Sequence, residues 1–252
     1  MPINPLLVRA RELWENLARV PISFPPVGGV SVAVSPESEL CPVGWIGVVT
    51  LGGSAIVTAP SKDAALVVRD ELATLPVAAV ADAEAVREVL SVARVLGPAA
   101  LSYVSTAGFR PVEHGALTGE QLPGGHPDLL SLERLASHED AAEAALKEID
   151  SPAFVFREHG QVVAAAGYEI WPSRTAHISV LTAPEARGRG LARLTASAAV
   201  AAGLLPQWRA RPPASRRVAA ALGFEELGTQ LSIDITQDIG GAPGSTSSGT
   251  GP

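Results

Sequence analysis

The run Leu181-Thr182-Ala183-Pro184-Glu185-Ala186-Arg187-Gly188-Arg189-Gly190-Leu191-Ala192 holds the residue types that bind an oxyanion. A strand-like segment ends, Pro184 turns the chain, and two glycines lead into an apolar helix. Gly188 and Gly190 carry no Cβ, so backbone N–H groups beside them can approach an anion closely. The first amides of a helix have no intrahelical acceptor and lie at its positive end. That combination suits a phosphate or pyrophosphate. Arg187 and Arg189 add charge, and Arg193 sits one turn further on. A Gly-x-Gly alone serves equally well as a tight turn with solvated arginines. No Gly-Lys-Ser/Thr follows, which excludes a P-loop. The dinucleotide fingerprint fails too, because a third glycine is missing at the required step and the preceding strands read as antiparallel.

Two side chains near this run are candidates for moving a proton. The strand 174–182 has no carboxylate, and His177 is its titratable residue besides Arg174. Alternation along a strand puts His177 with Ser179 and Leu181, opposite Ala176, Ile178 and Val180. Glu169, on the neighbouring strand, is the second candidate. Each also has a plain structural reading: a sheet-face histidine with a backbone or water partner, and a solvated carboxylate at a strand end.

The elements that must position these residues follow from pattern and punctuation. Strand-like runs at 153–158, 161–170 and 174–182 are joined by His159-Gly160 and by Trp171-Pro172-Ser173. A helix is predicted at 189–203, a strand at 205–210, a helix at 213–222 and short strands at 224–227 and 229–235. Upstream, Val112–Leu122 reads as a strand and 126–148 as helices, with His126-Pro127-Asp128 as a cap. The first part reads as a smaller α/β region. It has a helix at 6–19, a strand at 29–35, a Gly52-Gly53 hairpin within 43–59 and a helix at 61–74. A further helix at 82–96 is capped by Asp82 and stopped by Gly97-Pro98. Three parts are therefore expected: 1–110, 111–238, and a tail at 239–252. Residues 240–252 hold only Gly, Ser, Thr, Pro and Ala, and cannot bury a core. Val57-Thr58-Ala59-Pro60 echoes Leu181-Thr182-Ala183-Pro184, each at the end of a hairpin and before a helix. The first part is thus either unrelated to the second or a degenerate copy of it that lacks the glycines and arginines.

Arg187-Gly188-Arg189-Gly190-Leu191-Ala192 resembles the Arg/Gln-x-x-Gly-x-Gly/Ala motif of the GNAT superfamily of N-acetyltransferases. The order of elements around it is similar to that family's, as is Leu222-Gly223-Phe224 between the last helix and the next strand. The resemblance covers about residues 112–236. It implies an α/β GNAT fold with a mixed, mostly antiparallel sheet flanked by helices. It also implies acetyl-CoA as co-substrate and direct acyl transfer to an amine acceptor, whose identity the sequence does not give. On this resemblance the backbone of Arg187, Gly188, Arg189, Gly190, Leu191 and Ala192 holds the pyrophosphate. Leu181 and Thr182 pair with the pantetheine arm as an added strand would. Ser215 lies near the pantetheine or thiol, or else is a turn hydroxyl. Glu169 or His177 acts as general base. Trp171 and Trp208 read as core or as acceptor-pocket walls; Arg209 and Arg211 as surface residues or as partners of an anionic acceptor or the 3′-phosphate. Two features depart from the family pattern. The helix after the motif is short by about one turn, and the last helix lacks the tyrosine that often reprotonates the thiolate. The chain's tyrosines are Tyr103 and Tyr168.

Composition narrows the classes. The chain has 252 residues, 47% hydrophobic and 18% charged, enough for a sizeable core and unlike a disordered chain. A net charge of −7 argues against nucleic acid as a partner. One cysteine, Cys41, excludes an internal disulfide and a Cys-based zinc site, and no metal is expected. Met1 to Arg11 shows no signal-peptide pattern. The uncharged stretch 40–61 is broken by prolines and glycines, so a buried hairpin is expected there and no membrane span. A cytoplasmic location is the corresponding expectation; oligomeric state is not readable. Two rival functions stay open: a non-catalytic acetyl-CoA-binding or sensing module, and a structural protein whose glycine turn holds an anion.

Overall fold

The computed structural model describes residues 4–112, 120–200 and 203–236. Asn4 caps the first helix, α1 (Pro5–Leu17), by accepting from the Leu6 N–H at 3.0 Å. Its apolar residues Leu6, Ala10, Leu13, Trp14 and Leu17 recur at helical spacing and are all buried. Three β-rich runs follow: β1 (Val30–Val34), β2 (Ile46–Leu51) and β3 (Ser54–Ala59). Gly52 and Gly53, at φ +59° and +78°, make the two-residue turn between β2 and β3. Ser61 caps α2 (Lys62–Leu72), and Asp82 caps α3 (Ala83–Val89).

The helix expected to run to residue 96 stops at Val89, and the chain becomes a long strand, β4 (Val92–Tyr103). Gly97-Pro98 does not end a helix there. It lies in a register shift, where Ala99 and Leu96 face Gln230 and Ser232 of the last strand, β10 (Glu225–Ile235). An irregularity of that kind tolerates a proline, which has no N–H for the ladder. The two short strands expected at the C-terminal end are this one strand, irregular between Glu226 and Gly228.

The middle of the chain forms β5 (Glu120–Leu122), α4 (Pro127–Leu135), α5 (His138–Ala144), β6 (Ala153–Glu158), β7 (Gln161–Trp171) and β8 (Thr175–Thr182). After β8 come α6 (Leu191–Ala199), β9 (Leu205–Ala210) and α7 (Pro213–Ala221). Residues 113–119 of the expected strand 112–122, residues 201–202 of the expected helix 189–203 and the tail 240–252 lie outside the described residues.

All ten strands join one sheet in the order β1-β3-β2-β10-β4-β9-β8-β7-β6-β5. Only β1–β3 and β8–β9 are parallel; the other pairs are antiparallel. The expected mixed, mostly antiparallel α/β architecture is therefore present. β10 runs between β2 and β4, so the two ends of the chain share the centre of the sheet. α2 packs on one side of β1–β3 through Val68 and Leu72. A second core joins Leu13 and Trp14 of α1 to Val49, Leu51, Leu101, Tyr103 and Leu205. Ala196 of α6 and Ala219 of α7 pack with Ala176, Ile178 and Trp208 in a third. Among the described residues no helix is long and apolar enough to cross a membrane.

Candidate functional site

β8 and β9 pair at three positions only: Thr175 with Leu205, Ala176 with Pro206, His177 with Gln207. Both strands continue, β8 to Thr182 and β9 to Ala210, with no further ladder between them. They part after the His177–Gln207 rung. β8 stays paired on its other side to β7 as far as Thr182. Its edge toward β9 is thus left without a strand partner from 178 to 182, the stretch that contains Leu181 and Thr182. The Thr182 hydroxyl is buried there and has no hydrogen-bond partner among the described residues.

The glycine turn lies at the end of this free edge. Gly188 and Gly190 adopt φ +76° and +79°, a region where a side chain is strained. A Cβ at either would meet nothing within 4 Å, so the turn opens to one side. Gly190 is the N-cap of α6 and no side chain caps that helix. The first intrahelical bond runs from the Leu194 N–H to the Gly190 carbonyl at 3.0 Å. The amides of Gly188, Arg189, Gly190, Leu191, Ala192 and Arg193 have no acceptor among the described residues. Such a row of free N–H groups at a helix N-terminus is an anion site.

The arginines of the turn are less free than the sequence suggests. Arg187 Nη2 pairs with Asp140 Oδ2 at 2.9 Å, and its Nε reaches the Thr182 carbonyl at 3.4 Å. Ser137 and then Arg187 hold the Asp140 carboxyl below its ordinary value. Arg189 is paired with Glu158, with Nη1 to Oε2 at 2.9 Å. These pairs are exposed and contribute little to stability, but they offset the positive charge of the turn. The backbone amides remain its principal donors.

Ser215, at the start of α7, accepts from Trp208 Nε1 at 2.9 Å. Trp208 is buried edge-on against Phe224, with centroids 5.5 Å apart, in the core shared with α6 and α7. Its surroundings are those of a core residue.

The opposite face of the strands carries a row that no spacing in the sequence reveals. Tyr103 on β4, Gln207 on β9, His177 on β8 and Glu169 on β7 are aligned in register. Directly opposed residues share a face, so the row crosses four strands at the rung where β8 and β9 part. The His177 Nδ1 hydrogen-bonds Gln207 Oε1, and its ring stacks on Trp171 at 4.1 Å and 16°. Trp171 Nε1 donates to Glu169 Oε2 at 2.8 Å. Trp14 of α1 meets the edge of Trp171 at 6.1 Å and donates to the Tyr103 hydroxyl at 2.6 Å. Burial first, then the nearby Arg209 charge, pushes the His177 imidazole down to about 3, against the opposing effect of Gln207. His177 is therefore neutral at pH 7. With Oε1 as its acceptor, the proton sits on Nδ1. Burial raises the Tyr103 phenol far above its ordinary value, so it stays protonated. Glu169, by contrast, is only half-buried.

Both sequence candidates for proton transfer, Glu169 and His177, thus come together on one rung. Sequence reasoning missed Trp14, Tyr103 and Gln207. Tyr103 sits at the far end of β4, beyond the helix expected at 82–96, and the row exists only through pairings far apart in the chain. Among the described residues no group of three or more His, Cys, Asp or Glu side chains could hold a metal.

A GNAT acetyltransferase family model matches residues 153–229, from β6 into β10. No curated protein matches the chain. Solved structures similar to it include a GCN5-related N-acetyltransferase from Kribbella flavida. That one is 19% identical with a TM-score of 0.46, covering 61% of this chain and 63% of that one. A GNAT-family protein from Novosphingobium aromaticivorans is 22% identical with a TM-score of 0.41, covering 56% and 65%. A GCN5-related N-acetyltransferase-like protein from Streptococcus suis is 21% identical with a TM-score of 0.40, covering 60% and 66%. The chain spans less than two thirds of the length of each. The segment 153–229, which holds the parted β8–β9 pair and the glycine turn, is the part of the chain that matches the GNAT acetyltransferase family model.

Proposed function

We propose that the chain transfers an acetyl group from acetyl-CoA to an amine. The observation that carries this reading is the continuity of two features: the free edge of β8 beyond the last rung with β9, and the row of unpartnered amides from Gly188 to Arg193 that follows it. The amides donate to the pyrophosphate oxygens, with Arg187 and Arg189 at the rim. The pantetheine arm adds to the edge of β8 through main-chain groups near Leu181 and Thr182. The unpartnered Thr182 hydroxyl gives it a further polar contact. The thioester then lies at the parting of the strands, close to the rung of His177 and Gln207.

In the transfer, the amine nitrogen attacks the thioester carbon, the C–S bond breaks, and the sulfur leaves as thiolate. The amine must lose a proton. Of the two candidate bases, the surroundings favour Glu169. Its carboxylate is half-buried, and one oxygen accepts from Trp171 Nε1. His177 has been made a poor base by burial, so it acts by positioning, through Trp171 and Gln207. Ser215 lies on α7 with its oxygen engaged by Trp208, which gives it a packing role first.

A second reading, an acetyl-CoA-binding module without catalysis, has one observation in its favour: α7 has no tyrosine to reprotonate the thiolate. Two measurements decide. Calorimetry with acetyl-CoA should show saturable binding that Gly190→Asp weakens by tenfold or more, because it places bulk and negative charge at the anion site. Thiol release from acetyl-CoA with a panel of amines should exceed the rate without amine. Binding without release supports the module; no binding removes both readings.

A further inference from the structure

Arg209 differs from three other arginines of this half of the chain. Arg187, Arg189 and Arg211 are paired with Asp140, Glu158 and Glu143. Arg209 has no carboxylate within ion-pair distance among the described residues. Its one hydrogen bond there is weak, from Nη1 to Gln230 Oε1 at 3.4 Å. Gln230 is neutral and is itself tied by Nε2 to the Leu40 carbonyl at 2.6 Å. The guanidinium lies 5.7 Å from the centre of the Trp171 ring. Burial lowers its pKa, yet a guanidinium stays charged at any working pH.

Its place in the sheet gives this charge a meaning. Arg209 is two residues beyond Gln207 on β9, so it lies on the face of His177 and Glu169, past the rung where β8 departs. Gln207 Nε2 is fully buried, and its nearest acceptor, the Tyr103 hydroxyl, is outside good hydrogen-bond geometry. A half-buried cation and a buried N–H donor therefore lie on one face with no carboxylate at ion-pair distance. Leaving such groups unpaired is costly. The nearest acidic groups are Glu143, Glu148 and Glu169. Glu143 is engaged by Arg211, and one oxygen of Glu169 by Trp171.

We infer that Arg209, assisted by Gln207, anchors a carboxylate on the amine acceptor, so that the acceptor is an amino-carboxylate such as a free amino acid. The inference rests on the acetyl-transfer reading and names its substrate class. Glu169 supplies the complementary charge. Two strand spacings and two residues of rise separate its backbone from that of Arg209, about 12 Å in all. Trp171 lies between them, its ring 5.7 Å from the guanidinium and its Nε1 donating to Glu169, so an amino acid held against that ring has its ammonium toward Glu169 and its carboxylate toward Arg209.

The test uses the full chain saturated with acetyl-CoA and matched probes: lysine and cadaverine, histidine and histamine, tyrosine and tyramine, and the methyl esters of the same amino acids. We expect kcat/KM for CoA release at least tenfold higher with at least one free acid than with its amine or ester. Arg209→Gln should bring that ratio to about one, and Arg209→Lys should keep part of it. Amines and esters turned over as well as the acids by wild type overturn the inference, and this comparison does not depend on any variant folding. A preference that survives in Arg209→Gln overturns it too. So does an Arg209→Gln that weakens acetyl-CoA binding tenfold at an unchanged ratio, since the guanidinium then serves the cofactor. If no probe releases CoA, calorimetry with the same probes decides. Carboxylate-dependent binding that Arg209→Gln removes supports the anchor while the transfer reading fails. No carboxylate-dependent binding overturns the anchor.

Discussion

His177 shows how a titratable side chain can be made unavailable for proton transfer. It is 8% exposed, stacked on Trp171, hydrogen-bonded to Gln207 and close to a cation. Its folded pKa, about 3, lies below the unfolded value of about 6.5. Between those values the unfolded chain binds the extra proton, so the contribution is present above pH 6.5 and is lost as pH falls toward 3. From pH 7 to pH 5 this one group should cost about 2 kcal/mol. Urea unfolding at the two pH values measures it. His177→Gln should lose that much less than wild type over the same interval, and equal losses would show that the imidazole is not held neutral. Glu169 makes the opposite case. Glu169→Gln should lower CoA release by about 10² to 10⁴ while acetyl-CoA affinity persists; full turnover at every pH would put the base elsewhere. Both residues were legible in the sequence as candidates, because few other titratable groups lie on the strands before the turn. Their ranking was not legible, since it depends on Trp171 and Gln207 being brought alongside by strand register.

At the scale of elements, legibility depended on whether the signal was local. The turn before α6 was readable because proline, glycine and the apolar start of a helix lie together within one segment. The start of β4, residues 92–96, reads as a continuation of α3 in the sequence because the local signals are helical: Asp82 caps, Glu84 and Arg87 sit at opposite ends of α3, and Gly97-Pro98 reads as a stop. Pairing of Val92, Arg94, Val95 and Leu96 with β10 overrides those signals. The seam of β10 with β2 depends on a glycine that looked unremarkable. A Cβ on Gly228 would lie 1.7 Å from the Thr50 carbonyl oxygen, far inside contact distance and against backbone. Gly228→Ala should therefore destabilise by about 3 kcal/mol or more. Gly190→Ala has open space and bears only the left-handed penalty of roughly 1–2 kcal/mol. Denaturation midpoints of the two variants test this contrast. A Gly228→Ala as stable as Gly190→Ala would mean that β10 does not approach β2 so closely.

Across the whole molecule, the two halves expected from the sequence share the middle of the sheet. β10, from the end of the chain, fills the space between β2 and β4. β4, from the first part, fills the space between β10 and β9. Trp14 of α1 reaches across to Tyr103 and Trp171, so the N-terminal helix backs the rung that carries Glu169 and His177. Residues 1–110 retain neither the Arg-x-x-Gly-x-Gly pattern nor an uncapped helix at the matching place, since Ser61 caps α2 there. That fragment should not bind acetyl-CoA. A break in the chain between residues 112 and 120 also leaves each fragment with a gap where a strand of the other belongs. Unpaired strand edges flanking such gaps invite aggregation. Expressed singly, residues 1–112 and 120–252 should each lack a cooperative melt. Refolded together, they should form a one-to-one complex with the acetyl-CoA affinity of the intact chain, because the pairings need no covalent link between residues 112 and 120. Size-exclusion chromatography of the mixture, followed by calorimetry, reads both properties. A fragment that melts cooperatively as a monomer would show that its half holds a complete core without the shared strands, and saturable acetyl-CoA binding by residues 1–112 alone would place a cofactor site where no free helix N-terminus exists.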